Sequence, residues 1–217
     1  MIGPGTIPQL SFAIVGIRAD PHAAAPTLRL SVAIEAGDGI AVRGATVAVR
    51  VRIAAQRRRY EPAEADLLRE LFGPPSDFGR SLRPLPWTET TVAVAPFDGL
   101  TVVDVALPCT YDFEVVAAKY FAALAGGEVP IEALFSGTLL YDAPDGRLQV
   151  ARIAWDSEAT TLMPVAVWRQ AVETAFPGTA WLRLDRRVFA RLHEHRARAG
   201  YSTWEQTLQA LLDGSER

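Results

Sequence analysis

Two apolar runs, Ile131–Tyr141 and Leu148–Trp155, constrain the fold of this chain most, because only a short connector separates them. The connector, Asp142-Ala143-Pro144-Asp145-Gly146, has the proline and the Asp-Gly pair that are typical of a tight turn. Two strand-like runs joined this closely pair antiparallel. We therefore predict a central β-hairpin around which the rest of the fold packs.

The first of these runs is interrupted by Ser136-Gly137-Thr138. A glycine inside a strand indicates a bulge or a close approach of another backbone. The segment does not match a nucleophile elbow, which requires G-x-S-x-G on a strand-to-helix turn. A functional alternative is a ligand pocket with polar groups converging near Ser136, Thr138 or Tyr141.

Period-two alternation predicts further strands, at 10–17, 28–35, 46–60, 88–95 and 100–107. Short strands separated by turns at this spacing are typical of an antiparallel sandwich. We predict an α+β fold that is mostly β: an immunoglobulin-like β-sandwich over residues 1–156, with a short helix at 62–72. A helical subdomain of three helices, residues 157–217, then packs on the sandwich, and Asp156–Leu162 forms the linker.

The segment Tyr111–Leu124 carries conflicting signals. Its alanines favour a helix, whereas Tyr111, Phe113 and Val115 favour a strand. Because Gly126-Gly127-Glu128 suits a hairpin turn, we favour a strand here and leave the helix open.

Apolar residues three and four apart predict helices over Pro164–Phe176 and Asp185–Ala199, and a last helix after Ser202. Asp185 caps the second helix, Gly200 terminates it, and Ser202-Thr203-Trp204-Glu205 forms a capping box for the third. We expect their apolar stripes to be buried, and these contain Val188, Phe189, Leu192, Trp204, Leu208, Leu211 and Leu212. The tryptophans 155, 168, 181 and 204 are interpreted as a core that docks these helices on the sheet, with a ligand cage as the alternative.

Net charge and cysteine content limit the class of protein. The formal charge is −3, which gives no reason to expect binding to nucleic acid. The single cysteine, Cys109, cannot form an internal disulfide, and this favours a reducing compartment. No signal peptide and no run of about 18 apolar residues is evident, so we expect a cytoplasmic protein without a membrane span.

Catalytic and metal-binding patterns are not evident. His193 and His195 are two apart on a predicted helix and therefore point to different sides. Cys109 has no histidine near it in sequence, so we interpret it as a buried structural cysteine. We expect no cofactor and no metal, and the sequence favours a non-enzymatic protein.

Two surfaces are candidates for binding a protein partner. The proline-rich segment Gly73–Trp87 presents Phe78, Arg80, Arg83 and Trp87, although it could equally be a loop that covers the sheet edge. The helix at 185–199 presents Arg187, Arg191 and Arg198. This basic helix is interpreted first as a solvated face, then as a site for an acidic protein and last as a nucleic-acid site. A third basic run, Arg57-Arg58-Arg59, is best explained by pairing with the acids that follow it.

Scattered positions resemble an uncharacterised bacterial family, a domain of unknown function encoded beside high-affinity nickel–iron hydrogenase genes. The resemblance is carried by Pro108–Phe113, Lys119-Tyr120-Phe121, Gly127–Pro130, Leu134–Thr138, Trp155, Trp168, Phe176-Pro177, Trp181 and Trp204. It implies an accessory or maturation role, with a hydrogenase subunit or maturation factor as partner. The chain lacks the paired C-x-x-C motifs of the hydrogenase itself. The alternative is an enzyme or small-ligand carrier with a pocket between the sandwich and the helical tail.

Overall fold

The computed structural model describes residues 9–37, 40–109, 115–143, 145–179 and 184–215. The chain divides into two compact units, Met1–Ala180 and Trp181–Arg217. The boundary between the units therefore lies beyond residue 156, and the helix predicted at 164–176 belongs to the first unit.

Antiparallel strands and short helices make up the described part of the first unit. The strands are β1 Leu10–Ala19, β2 Thr27–Ala36, β3 Ala41–Ile53, β4 Leu85–Val94, β5 Phe97–Asp98, β6 Leu100–Pro108, β7 Glu128–Asp142, β8 Leu148–Arg152 and β9 Glu158–Pro164. The helices are α1 Pro62–Leu67, α2 Arg69–Phe72, α3 Phe78–Ser81, α4 Val116–Ala122 and α5 Val165–Ala175. The prediction of a mostly β protein with antiparallel sheets and C-terminal helices is confirmed.

The strands form two sheets that share one core. One sheet has the order β1-β2-β6, and the other has the order β4-β3-β7-β8, with β5 added to β3 and β9 added to β7. Phe12 of β1 stacks on Phe135 of β7 with ring centroids 4.3 Å apart, so the two sheets meet face to face. Alternate residues of β2 and β3 fill this core: Leu28, Leu30, Val32, Ile34, Val47, Val49, Val51 and Ile53. Each contributes about 1.5–3 kcal/mol by burial.

The predicted hairpin is confirmed as β7 and β8, which pair from Asp142↔Leu148 to Thr138↔Arg152. The predicted linker at 156–162 is wrong, because β9 continues along β7 from Leu134↔Glu158 to Glu128↔Pro164. Ala159, Thr161 and Met163 alternate toward the interior, but only Met163 is strongly apolar, so the alternation gave a weak signal.

Gly137 allows β7 to approach β3 closely, as predicted. Its φ is +143°, and a Cβ at this position would lie 2.0 Å from the carbonyl oxygen of Thr46. A side chain cannot occupy that space without moving the backbone, so Gly137 serves the packing of the sheet.

The strand preferred for 111–124 is wrong where the structure describes it, since Val116–Ala122 is a helix. Residues 110–114 lie outside the described part. Helix propensity from three alanines prevails over the aromatic signal, because one face of α4 buries Tyr120 and Phe121. The stretch 116–122 is therefore amphipathic as a helix.

The segment predicted as a helix at 62–72 is two helices, separated at Leu68 where ψ is 0°. The long irregular loop predicted for Gly73–Trp87 is partly wrong, because it contains α3 and the start of β4.

The second unit contains α6 Arg186–Ala199 and α7 Trp204–Ser215. Asp185 accepts a hydrogen bond from the Arg187 amide, and Gly200 adopts the left-handed conformation that ends α6, both as predicted. The N-terminal cap of α7 lies one residue later than predicted. Thr203 Oγ1 accepts a hydrogen bond from the Gln206 amide, and the Gln206 side chain accepts one from the Ser202 amide.

Candidate functional site

Arg58, the middle residue of the basic run at 57–59, is bound within the fold. Arg58 donates to both carboxylate oxygens of Glu64 at 2.9 and 3.0 Å, and also to the carbonyl oxygens of Gly126 and Glu128. Glu64 is only 3% exposed. Burial alone raises the pKa of Glu64, but hydrogen bonds from Arg58 and from the Ala125 and Glu61 amides outweigh it and lower the pKa. Pairing with an acid that follows the run, as predicted, explains Arg58, whereas Arg57 pairs with Glu132 of β7 at 3.1 Å and Arg59 is exposed.

The proline-rich segment divides into two kinds of residue. Phe78 is half-buried and lies edge-on to Tyr60 and Phe72, with centroids 6.0 Å from each. Trp87 is half-buried and lies 5.2 Å from Phe121. These two aromatics are packed against the core of the first unit.

Arg80 and Arg83 of the same segment are exposed. Arg80 makes a 3.6 Å ion pair with Asp77, on its own helical turn. The structure therefore does not join the four candidate residues of this segment into one surface, since two face inward and two face solvent.

Cys109 is buried, as expected. Desolvation raises the pKa of its thiol to about 12, which keeps it protonated at neutral pH. Its thiol donates to the carbonyl oxygen of Leu107 at 3.7 Å. A protonated, enclosed thiol is a poor nucleophile.

Ser136, Thr138 and Tyr141 do not converge. Ser136 and Thr138 are exposed on one face of β7, whereas Tyr141 is 6% exposed on the other and donates to the Gln149 side chain at 2.9 Å. The three side chains proposed for a polar pocket thus lie on opposite faces of one strand.

Within the described ranges, no group of three or more His, Cys, Asp or Glu side chains is arranged to hold a metal ion. His193 faces Trp204 and His195 faces Tyr201, with ring centroids 6.2 and 6.3 Å apart. In the same described part of the chain, no helix is long and apolar enough to cross a membrane.

Three of the five arginines of α6 form a row on one face of the helix. At about 100° per residue, positions 187, 191 and 198 fall within about 40° of one another. Among the described residues, Arg187 and Arg191 form no ion pair, whereas Arg198 pairs with Glu194 at 3.1 Å. This face carries three of the five arginines of α6 together with its one glutamate, Glu194, so its net charge is positive.

An apolar groove runs beside the arginine row, between α6 and α7. Val188, Leu192 and Leu211 lie along it, and its rim holds Arg191, Glu194, His195 and Arg198. Next to the groove, Phe189 of α6 packs on Trp204 with centroids 5.3 Å apart, and the Arg196 guanidinium lies 4.4 Å above the same indole. Contacts of α6 with Trp204 hold the two helices together and leave the groove open.

The apolar stripes of these helices are exposed, contrary to prediction. Their exposed members are Val188 at 44%, Phe189 at 47%, Leu208 at 40%, Leu211 at 41% and Leu212 at 60%. Amphipathic spacing identifies the stripe but cannot show whether another element covers it. The exposure could have been predicted from the small size of the second unit, because two short helices offer each other too little surface to bury both stripes.

The tryptophans do not act together as one docking core. Trp168 is buried and stacks on Phe121 at 5.3 Å, whereas Trp155 is 90% exposed. Trp204 belongs to the second unit, and Trp181 lies outside the described residues. The interpretation as a single cluster, whether core or cage, is wrong for Trp155.

Comparisons with solved structures find similarity only at low identity. The CARDB domain of the PF1109 protein from Pyrococcus furiosus, in complex with di-metal ions, is 14% identical over 72% of this chain and 92% of that chain, with a TM-score of 0.29. The putative ApaA protein from Bordetella pertussis is 10% identical over 74% of this chain and 96% of that chain, with a TM-score of 0.25. A β-glucosidase from Kluyveromyces marxianus is 9% identical over 71% of this chain and 15% of that chain, with a TM-score of 0.27. None of these similarities assigns an activity to the chain.

No curated protein sequence matches the chain. One family model does, and it covers residues 7–217, which include both units. The chain therefore belongs to DUF6084, a family of unknown function.

Proposed function

We propose that this protein is a non-enzymatic accessory protein that binds a partner through the groove of α6 and α7. The observation that carries the proposal is the combination of an open apolar groove with Arg191 and Arg198 on its rim and Arg187 on the same face of α6. Exposed apolar surface bordered by charge is typical of interaction sites. Among the described residues, every buried side-chain nitrogen and oxygen has a hydrogen-bond partner, so the first unit offers no unpaired buried polar group as a competing site.

The positive charge at the rim of the groove determines which kind of partner can bind there. An amphipathic helix can lay its apolar face into such a groove, with anchors three and four residues apart. Arg187 and Arg191 have guanidinium groups that no described acid occupies, and guanidinium groups bind carboxylates in a bidentate geometry. The occupant is therefore an acidic amphipathic helix of another protein.

The identity of the partner rests on the resemblance described in the sequence. A family encoded beside nickel–iron hydrogenase genes points to a hydrogenase subunit or a maturation factor, and we propose that this protein assists the assembly of such an enzyme. The first unit, which we infer to be an immunoglobulin-like sandwich from its two antiparallel sheets, serves as the scaffold that carries the binding helices.

The test uses the full chain and two synthetic peptides. Both peptides carry the same leucine stripe on a helix, one flanked by glutamates and the other by lysines. We expect only the acidic peptide to bind in fluorescence anisotropy, and we expect its affinity to fall as salt is raised. Equal binding of both peptides, or of neither, contradicts the proposed groove.

A matched pair of variants assigns the site. In Arg187→Glu/Arg191→Glu, we expect the acidic peptide to bind about 30-fold more weakly or worse, since hydrogen bonds to charged groups contribute about 1.5–3 kcal/mol each. Arg80→Glu/Arg83→Glu has the same change in net charge and should bind normally. Purified hydrogenase subunits and maturation factors then replace the peptide, and failure of all of them to bind refutes the hydrogenase partner while leaving the groove intact.

A further inference from the structure

The outer edge of β8 is unpaired in the described part of the chain, because β8 is the last strand of its sheet path. The alternation of hydrogen bonds along β8 shows which backbone N–H and C=O groups face the unpaired edge. The Ile153 amide donates to the carbonyl oxygen of Gly137, and the Ala143 amide donates to the carbonyl oxygen of Arg147. The odd-numbered residues from 147 to 153 therefore form their backbone hydrogen bonds with the β7 side. Since bonding direction alternates along an antiparallel strand, Leu148, Val150 and Arg152 direct their N–H and C=O groups to the free edge.

This edge also carries apolar side chains in solvent. Leu148 is 60% exposed and Val150 is 67% exposed, and Leu140, which lies opposite Val150 on β7, is 40% exposed. Proteins usually protect such an edge with charges, proline or a covering element. Arg152 at one end is the only charged residue in β8.

After β8 the chain leaves its pairing with β7, and it pairs with β7 again as β9. Ile153 bonds opposite Gly137, and the pairing starts again at Leu134↔Glu158, so two extra residues are accommodated between these points. Trp155 lies in this bulge and is 90% exposed. The bulge therefore places an aromatic ring in solvent close to the unpaired edge.

We propose that β8 pairs antiparallel with β8 of a second copy of this chain, about a two-fold axis at Val150. This register makes Val150 its own partner and places Leu148 opposite Arg152 of the second copy, so the outward N–H and C=O groups bond reciprocally. The apolar patches of the two copies then form one continuous surface. The proposal is independent of the groove on α6 and α7.

A cation–aromatic match between the two copies supports a second copy as the occupant. Arg152 makes no ion pair among the described residues, and in this register it lies opposite Leu148 of the second copy, whose neighbour Asp142 is already paired with Arg43. Trp155 comes beside the turn at 145–147 of the second copy. The Arg147 side chain there is 83% exposed and makes a 3.7 Å ion pair with the exposed Asp145 of the same turn, which leaves its guanidinium face open to the indole.

The experiment measures the mass of the full chain by sedimentation velocity across a wide range of concentration. We expect a reversible dimer, and we expect Val150→Lys to raise its dissociation constant by about 100-fold, because two like charges then meet at the axis. Val102→Lys, on a strand of the other sheet with 55% exposure, is the matched control and should still dimerise. A chain that is monomeric at every concentration overturns the proposal, as does equal dissociation by both lysine variants.

Cysteine variants test the axis even if Val150→Lys fails to fold. Directly opposed hydrogen-bonded residues have Cα atoms about 5.5 Å apart, a separation that a disulfide spans. We expect Val150→Cys to form a disulfide-linked dimer under oxidised glutathione, while Val102→Cys does not and the buried Cys109 stays reduced. A folded Val150→Cys protein that cross-links no faster than Val102→Cys contradicts the register, and loss of the dimer in Arg187→Glu/Arg191→Glu would assign it to the helices instead.

Discussion

The arginines of the two units are used in opposite ways. Arg58 in the first unit has an 11% exposed side chain and donates to a carboxylate and two carbonyl groups. Arg191 in the second unit is exposed, borders an apolar groove and forms no ion pair among the described residues. The same residue type therefore stabilises the fold in one place and is available for binding in the other.

The difference arises from what surrounds each side chain. Arg58 lies where α1 and the start of β7 meet, and carbonyl groups of the chain segment 126–128 point at it. On α6, backbone carbonyls are occupied within the helix, so a guanidinium can be satisfied only by side chains or solvent. A closed polar network indicates a structural role, and the open cationic row beside exposed apolar residues is the basis of the binding role that we propose.

Replacing each of the two arginines with alanine is the strongest test of this difference. We expect Arg58→Ala to lower the free energy of unfolding by about 3–5 kcal/mol, because the carboxylate of Glu64 is left buried without its charge partner. Arg191→Ala should change it by less than about 0.5 kcal/mol, as is usual at the surface. Urea denaturation followed by circular dichroism measures both, and comparable losses would show that the two arginines play the same role.

The glycines of the two units provide a second contrast. Gly137→Ala should destabilise the protein by about 2–3 kcal/mol, since the new methyl group meets the Thr46 carbonyl. Gly200 has a φ of +71°, but nothing lies within 4 Å of the site of its Cβ. Gly200→Ala therefore loses only the left-handed preference, about 1 kcal/mol. Thermal denaturation of both variants checks the order, and a larger loss at Gly200 would contradict the close approach of β7 and β3.

The buried carboxylate makes the first unit sensitive to acid. Because the pKa of Glu64 is lowered from its ordinary value of 4.5, the stability it contributes is complete above that value and is lost as the pH falls below it. We expect wild-type protein to lose more stability than Glu64→Gln when the pH is lowered from 7 to about 3.5. Urea midpoints at the two pH values give the loss of stability for each protein. Because both proteins contain the other carboxylates, the difference between the two losses reports on Glu64 alone. Equal losses would show that the pKa of Glu64 is not lowered.

The sequence allowed the strands to be predicted where alternation is strong, and less elsewhere. Valines at every second position of β3 leave one face to bury, and the structure buries it. At 158–164 the inward positions hold Ala159, Thr161 and Met163, so the alternation of apolar residues is too weak to predict a strand. At 116–122 the aromatic residues suggested a strand, although alanines and a one-sided distribution of Tyr120 and Phe121 produce a helix.

The candidate site was predictable only in part, and for a physical reason. The spacing of Arg187, Arg191 and Arg198 follows from helix geometry, so their common face could be derived from the sequence. Whether Val188 and Leu211 are covered depends on the packing of other elements, which periodicity does not encode. The same holds for β8, whose alternation predicts a strand but not its place at the end of a sheet.

A small effect on stability is expected at the floor of the groove, and it separates binding from folding most sharply. Leu211 is 41% exposed, so Leu211→Ser removes little buried surface and should lower the free energy of unfolding by less than about 1 kcal/mol. The same substitution places a hydroxyl on the groove floor and should abolish most of the binding of the acidic peptide. Leu139→Ser in β7, at 1% exposure, should instead unfold much of the protein. If Leu211→Ser destabilises the chain as much as Leu139→Ser does, the stripe is part of a core, and the contrast between a closed first unit and an open second unit fails.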